Sequence, residues 1–167
     1  MVALFATMSF ALTSCGDDDD DDDVSFGNAK GELTVDGTKY SFDIFIGDLH
    51  EGEGCYDYSC LLYSAKTDDY SLLITINDWD EVYQGLVWDR NNSSAFDSDC
   101  YLTVTWSTTS AKIGGGPVSG TAKVTELDKK AKKITLSFNN AAFEYYSGSY
   151  ENFPTFTING TITLPID

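Results

Sequence analysis

The chain has 167 residues, enough for one ordinary domain and too few for two full-sized ones. Its 27 acidic residues against 10 basic ones give a net charge of −17, which argues against nucleic acid as a partner, because phosphate backbones are held by clustered Lys and Arg. Aromatic residues make up 14% of the chain and only 3 residues are proline, so the bulk can build a core and is not a disordered polyelectrolyte.

Residues 2–14 are mostly apolar and carry no charge. Such a helix falls short of the ~20 residues that cross a ~30 Å hydrocarbon core and matches the apolar region of a signal peptide. The stretch ends at Leu12-Thr13-Ser14-Cys15. This tetrad resembles the lipobox of bacterial lipoproteins, in which a leucine stands three residues before the cysteine with small residues between. The resemblance implies that residues 1–14 are removed as a signal peptide, that Cys15 receives a diacylglyceryl thioether, and that its new amino group is acylated. A leader ordinarily opens with Lys or Arg, whereas the first basic residue here is Lys30. The expectation is therefore a leader truncated at its start.

Asp17, Asp18, Asp19, Asp20, Asp21, Asp22 and Asp23 follow without interruption. Mutual repulsion keeps such a run extended and solvated, and at ~3.4 Å per residue the segment 16–23 reaches roughly 27 Å. The simplest reading is a polar spacer. Cys15-Gly16 followed by aspartates is also similar to the start of surface-exposed lipoproteins of the Bacteroidota, where an acidic stretch after the lipidated cysteine directs export to the outer leaflet. The resemblance implies an outer-membrane, lipid-anchored, surface-exposed protein, with the membrane as a partner through Cys15. Calcium binding by the run would be weak, since a flexible polyanion offers no preformed cage. Residues 15–25 are read as lipidated cysteine and tether, and residues 26–167 as a single all-β domain.

Within that domain the dominant period is two. Segments 31–35 and 38–46 flank Asp36-Gly37, a strong hairpin signal. A two-residue turn pairs Val35 with Thr38, Leu33 with Tyr40 and Gly31 with Phe42, giving one mostly apolar face and one polar face. Further strands are expected at 58–65, 71–77, 83–88, 101–107, 117–127 and 133–138, with 141–146 less regular. Asn159-Gly160 looks like a second hairpin turn, yet folding there would mix apolar and polar residues on each face. Read straight through, Phe156, Ile158, Ile162 and Leu164 share one face, so a continuous strand is expected, with Gly160 at a bulge or close contact. Segment 113–117 reads as a loop. Eight or nine short strands without a helical stripe indicate an antiparallel β-sandwich, with a small up-and-down, lipocalin-like barrel as the alternative.

Motifs that carry chemistry are few. Cys55 and Cys60 could close a small disulfide loop, and Cys60 with Cys100 would join separate strands; buried thiols are the alternative. His50 with Cys55 and Cys60 lacks the tight paired spacing of structural zinc motifs. Carboxylates concentrate in residues 24–99, where 15 acids stand against 4 bases. They are read first as a solvated acidic surface, then as a calcium site, and last as a glycosidase pair. No nucleophile elbow occurs, and Gly114 to Gly116 lacks the Lys-Ser/Thr of a phosphate loop. No catalytic residue, metal or cofactor is assigned. Trp79, between Asp78 and Asp80, and Trp88, at a strand end, are the candidates for stacking on a sugar ring, though packing is the commoner fate of such side chains. Trp106 shares the phase of Leu102 and Val104 and is expected in the core.

The expected function is that of a non-enzymatic binding or structural module on a lipid anchor, facing a glycan or an envelope protein. A small apolar-ligand carrier with a barrel cavity is the alternative, and a glycoside hydrolase using the acidic loops ranks last.

Overall fold

The computed structural model describes residues 25–27, 31–51, 56–64, 66–91, 100–108, 111–145 and 154–166. Cys15, the run from Asp17 to Asp23, Cys55 and the acidic segment 92–99 lie outside the described residues.

Asp36 and Gly37 both take positive φ, 49° and 77°, the requirement of a two-residue turn that follows the right-handed twist of its strands. β2 (Gly31–Val35) and β3 (Thr38–Phe42) pair around it in the expected register, with Val35 opposite Thr38 and Gly31 opposite Phe42. Asp43 is a corner. Phe42 and Phe45 are both buried, so the inward phase slips by one residue between them. The chain there leaves one sheet and continues in the other as β4 (Ile44–Glu51), held by Asp43 N–H donating to Tyr63 O at 3.2 Å. The segment 38–46 is thus two strands, not one.

β5 (Tyr56–Ser64), β6 (Thr67–Ile76), β8 (Leu102–Ser107) and β9 (Ala111–Gly114) extend β4 as an antiparallel meander. β1 (Ser25–Gly27) covers the opposite edge, so this sheet, A, runs β1-β4-β5-β6-β8-β9. A second meander, β10 (Ser119–Asp128), β11 (Lys133–Glu144) and β12 (Thr155–Pro165), pairs through β12 with β2. With the two-residue β7 (Val87–Trp88) on β10, sheet B runs β3-β2-β12-β11-β10-β7. The architecture is an all-β sandwich of two antiparallel sheets.

The described strands number 12 rather than eight or nine, for local reasons. β1, β7 and β9 are too short to show a period. Residues 133–138 and 141–146 are joined as β11 through an irregularity between Phe138 and Ala141, where Asn140 sits at φ 47°. β9 takes in Ile113 and Gly114 of the expected loop, and of 83–88 only Val87–Trp88 is strand. β12 passes continuously through Gly160, as its parity requires; there φ is 122°, and a Cβ would lie 3.1 Å from Leu33 Cδ2.

The inner faces close on each other. Phe45, Tyr58, Leu62, Leu72, Ile74 and Val104 from sheet A meet Leu33, Val124, Leu136, Phe143, Phe156 and Ile158 from sheet B, all buried. Tyr58 O–H crosses the core and donates to Pro165 O at 2.6 Å, which satisfies the hydroxyl that its burial strips of water. Among the described residues no helix is long and apolar enough to cross a membrane.

Candidate functional site

Both tryptophans singled out for stacking are inside the protein, which corrects that expectation. Trp79 opens a single 3-10 turn (Trp79–Glu81) that folds back on β5, so its indole is 6% exposed and lies 4.9 Å from the Tyr58 ring. The acidic neighbours that suggested a surface loop stay at the rim, while burial of a large aromatic face decides where the ring goes. Trp88 is fully buried, and its indole N–H donates to Cys100 O at 3.1 Å. Trp106 is core, as its phase predicts.

Of the two cysteine readings, Cys60 takes the buried thiol: it points inward on β5 and is free, while Cys55 lies outside the described residues. Burial pushes its pKa up to about 12, with Tyr58 O–H opposing through a hydrogen bond. Cys100 is likewise pushed up to about 12 by burial, reinforced by the charges of Asp78 and Glu81. Neither thiol has the depressed pKa of a nucleophile.

Among the described residues, the acidic positions of these loops serve local contacts. Asp57 caps the next connection, accepting from Asn77 Nδ2 at 3.1 Å and from Asp78 N–H at 3.0 Å. His50 Nδ1 lies 3.1 Å from Asp48 Oδ2 at an exposed strand end. Among the described residues no group of three or more His, Cys, Asp or Glu is placed to hold a metal.

A concavity appears elsewhere, at the corner that Asp43 makes. Gly31 and Glu32 on β2, Ser41 and Phe42 on β3, Asp43, Ser64 and Lys66 in the β5–β6 connection and Thr161 on β12 line a groove of about 620 Å³. Register builds it: Ser41, Glu32 and Thr161 stand side by side across three strands of sheet B, and the chain's exit to sheet A leaves the opposite wall to Ser64 and Lys66. Gly31 adds no side chain to the wall; a Cβ there would meet Ile162 at 2.6 Å. The Glu32 carboxylate receives Lys39 Nζ at 2.6 Å and Ser41 Oγ at 3.3 Å. The hydrogen bond from Lys39 holds its pKa below the ordinary carboxylate value. Ser64 Oγ accepts from Lys66 N–H at 3.2 Å. Hydroxyls, two carboxylates and an ammonium over a phenyl floor can hold a small, polar, hydroxyl-bearing ligand.

Sequence reasoning did not find this groove, because its residues are short polar side chains on four separate strands and connections. The only local signal was the slip of phase between Phe42 and Phe45, on either side of Asp43. No family model, curated protein or solved structure matches this chain.

Proposed function

We propose that this protein is a lipid-anchored lipoprotein of the cell envelope, displayed at the outer surface, whose β-sandwich binds a short glycan without transforming it. The observation that carries the reading is an unbroken series along the chain. The apolar segment ends at Leu12-Thr13-Ser14-Cys15, the acidic run follows one residue later, and β1 starts at Ser25. Anchor, charged tether and folded domain therefore meet with no other segment between them. Nine tether residues, 16–24, give a reach of roughly 30 Å at full extension.

The groove at Asp43 supports the ligand class. Its volume lies within the ~300–1,000 Å³ typical of small-molecule sites, and its lining is rich in groups that pair with sugar hydroxyls. A carrier of apolar ligands draws less support, because Phe45, Tyr58, Trp88, Phe143 and Phe156 fill the space between the sheets. A hydrolase draws less again: a general acid needs a raised carboxyl pKa, and that of Glu32 is lowered.

Two experiments test the reading. Cys15→Ser should leave the chain unprocessed and free of the membrane fraction, and replacement of Asp17 to Asp23 by Ser-Gly repeats should abolish cleavage by protease added to intact cells. Membrane association that survives the first change sinks the anchor, and undiminished surface exposure after the second reduces the run to a spacer. For the ligand, oligosaccharide arrays should show binding that Lys66→Ala and Thr161→Val weaken at least tenfold; binding indifferent to both places the glycan elsewhere.

A further inference from the structure

The outer face of sheet A is unusual for so acidic a chain. Register aligns Ile46, Leu61, Leu73, Thr105 and Ile113 in one row across β4, β5, β6, β8 and β9. On one side runs the row Ile44, Tyr63, Ser71, Ser107 and Ala111, and on the other Asp48, Ser59, Thr75 and Thr103. On β5, β6 and β8 these positions alternate with buried neighbours and so point away from the core, and the cross-strand register carries the same face onto β4 and β9. Ile113, at the end of the central row, is 63% exposed. Asp48 carries the one formal charge in these three rows, in a chain whose charged residues make up 22% of the total. Loss of charge together with gain of apolar area is the compositional mark of an interface centre.

We propose that this face docks a second copy of the same chain, face to face, through the row from Ile46 to Ile113. Three arguments select that occupant. The first is size. Strands ~4.8 Å apart and same-face residues ~6.8 Å apart make five strands by three rows a flat footprint of about 500 Å². Two such footprints make about 1,000 Å² in total, the lower end of a specific interface. The second is self-complementarity, which a two-fold contact demands. An axis parallel to the strands sets Ile46 against Ile113 and Leu73 against Leu73; an axis along the row keeps each apolar residue on its own counterpart. The third is charge. Neither arrangement brings Asp48 against Asp48, since it meets the Thr103 end of its row in one case and Ile44 in the other. The remaining negative charges of the two copies stand beyond the contact, where the ~8 Å screening length of physiological salt blunts their repulsion. The groove at Asp43 opens on the Ser41, Glu32 and Thr161 side of the sandwich, so pairing through sheet A leaves both copies of it accessible.

The test uses the whole chain. Sedimentation equilibrium in detergent should give a monomer–dimer equilibrium that tightens as NaCl rises from 50 to 500 mM, because salt weakens only the repulsion. Leu61→Thr with Leu73→Thr puts uncharged, strand-favouring side chains on the face and should weaken dimerisation at least tenfold, with the melting temperature showing that the fold survives. In membranes, Leu73→Cys should give an oxidised product of twice the chain mass, whereas Thr163→Cys on sheet B should not. A monomer at every concentration, a dimer indifferent to the double substitution, or equal cross-linking from Thr163→Cys overturns the proposal. So does a Leu73→Cys product of any other mass, which would give the face to a different protein.

Discussion

The two sheets share a core and differ in what they show to solvent. The central row of sheet A reads Ile46, Leu61, Leu73, Thr105, Ile113, and the row crossing five strands of sheet B reads Ser41, Glu32, Thr161, Ser137, Lys123. One is uncharged and apolar at four of its five positions; the other mixes hydroxyls and charges. The inner faces differ in the opposite sense. Sheet B buries Leu33, Val35, Phe42, Val124, Leu136, Phe143, Phe156 and Ile158 without a titratable group among them, while sheet A buries Tyr58 and Cys60 beside its aliphatic residues. A sequence balance of −17 therefore says little about any one surface. Sheet A carries its charges (Asp48, Glu51, Asp57, Asp68, Asp69 and Lys112) mainly toward strand ends, and the apolar centre of its outer face is hidden inside an average.

The largest effect should come from a large buried side chain that ties the two halves together. Trp88 lies on β7 of sheet B and donates its indole N–H to Cys100 O, just before β8 of sheet A. Trp88→Ala removes a fully buried indole and should cost about 3–5 kcal/mol by chemical denaturation. Both sheets should be lost in one transition. Two separated transitions would mean that the sheets are independent units and that the comparison is between domains.

The next effect separates the sheets. Burial raises the Cys60 pKa from an ordinary 9.0 to about 12 and raises that of Tyr58 well above its ordinary 10.0. These groups hold their protons more tightly folded than unfolded, so their contribution is fully present below pH 9 and declines as pH rises toward 12. Hydrogen exchange above pH 9, corrected for the intrinsic rate, should find β5 and β6 opening before β11 and β12. Cys60→Ala should flatten the alkaline fall in stability; an unchanged fall would place its origin outside the sheet A interior.

What the sequence made legible follows the same division. The β2–β3 hairpin, its register and the continuity of β12 were readable because one face of each is apolar, so parity has a single solution. Cys60, Trp79 and Trp88 were not. A cysteine five residues from another suggests a bond, yet β5 places Cys60 inward among aliphatic residues. Trp79 between two aspartates suggests solvent, yet three residues of 3-10 turn suffice to reverse the ring. The groove needed knowledge that β3 leaves its sheet at Asp43, which no local pattern states. The apolar face of sheet A needed the register of five strands at once; in the sequence, segments 58–65 and 71–77 show only an unusually continuous apolar run.

A smaller contrast tests whether the two outer faces differ in the strength of their side-chain pairs or only in composition. Each sheet has a cross-strand hydroxyl pair: Ser59 with Thr75 at 3.1 Å on sheet A, and Thr135 with Thr163 at 3.0 Å on sheet B. Double-mutant cycles to Ala and Val should give coupling of about 0.2–1 kcal/mol for each. Equal values would locate the difference in the apolar row alone. A sheet A coupling several times larger would mean that its flanking rows are tightened by the same burial that the apolar row provides.

The smallest effect concerns the pair that shapes one wall of the groove. Glu32 and Lys39 meet at 2.6 Å, with side chains 56% and 65% exposed. At such exposure water screens the attraction and both side chains give up freedom to hold it, so Lys39→Met should leave the melting temperature unchanged. The same substitution should move the Glu32 titration upward, because the hydrogen bond from Lys39 is the main cause of its lowered pKa. A depressed carboxyl pKa contributes to stability above the unfolded value and loses that contribution as pH falls through the folded one, so any trace of the pair should appear on the acid limb and not on the alkaline limb that Cys60 governs. Carboxyl NMR across the acid range measures both at once. An unshifted Glu32 in the variant would mean that Ser41, rather than Lys39, holds the carboxylate. A fall in melting temperature at neutral pH would mean that the outer face of sheet B contributes to the fold as well as to the groove.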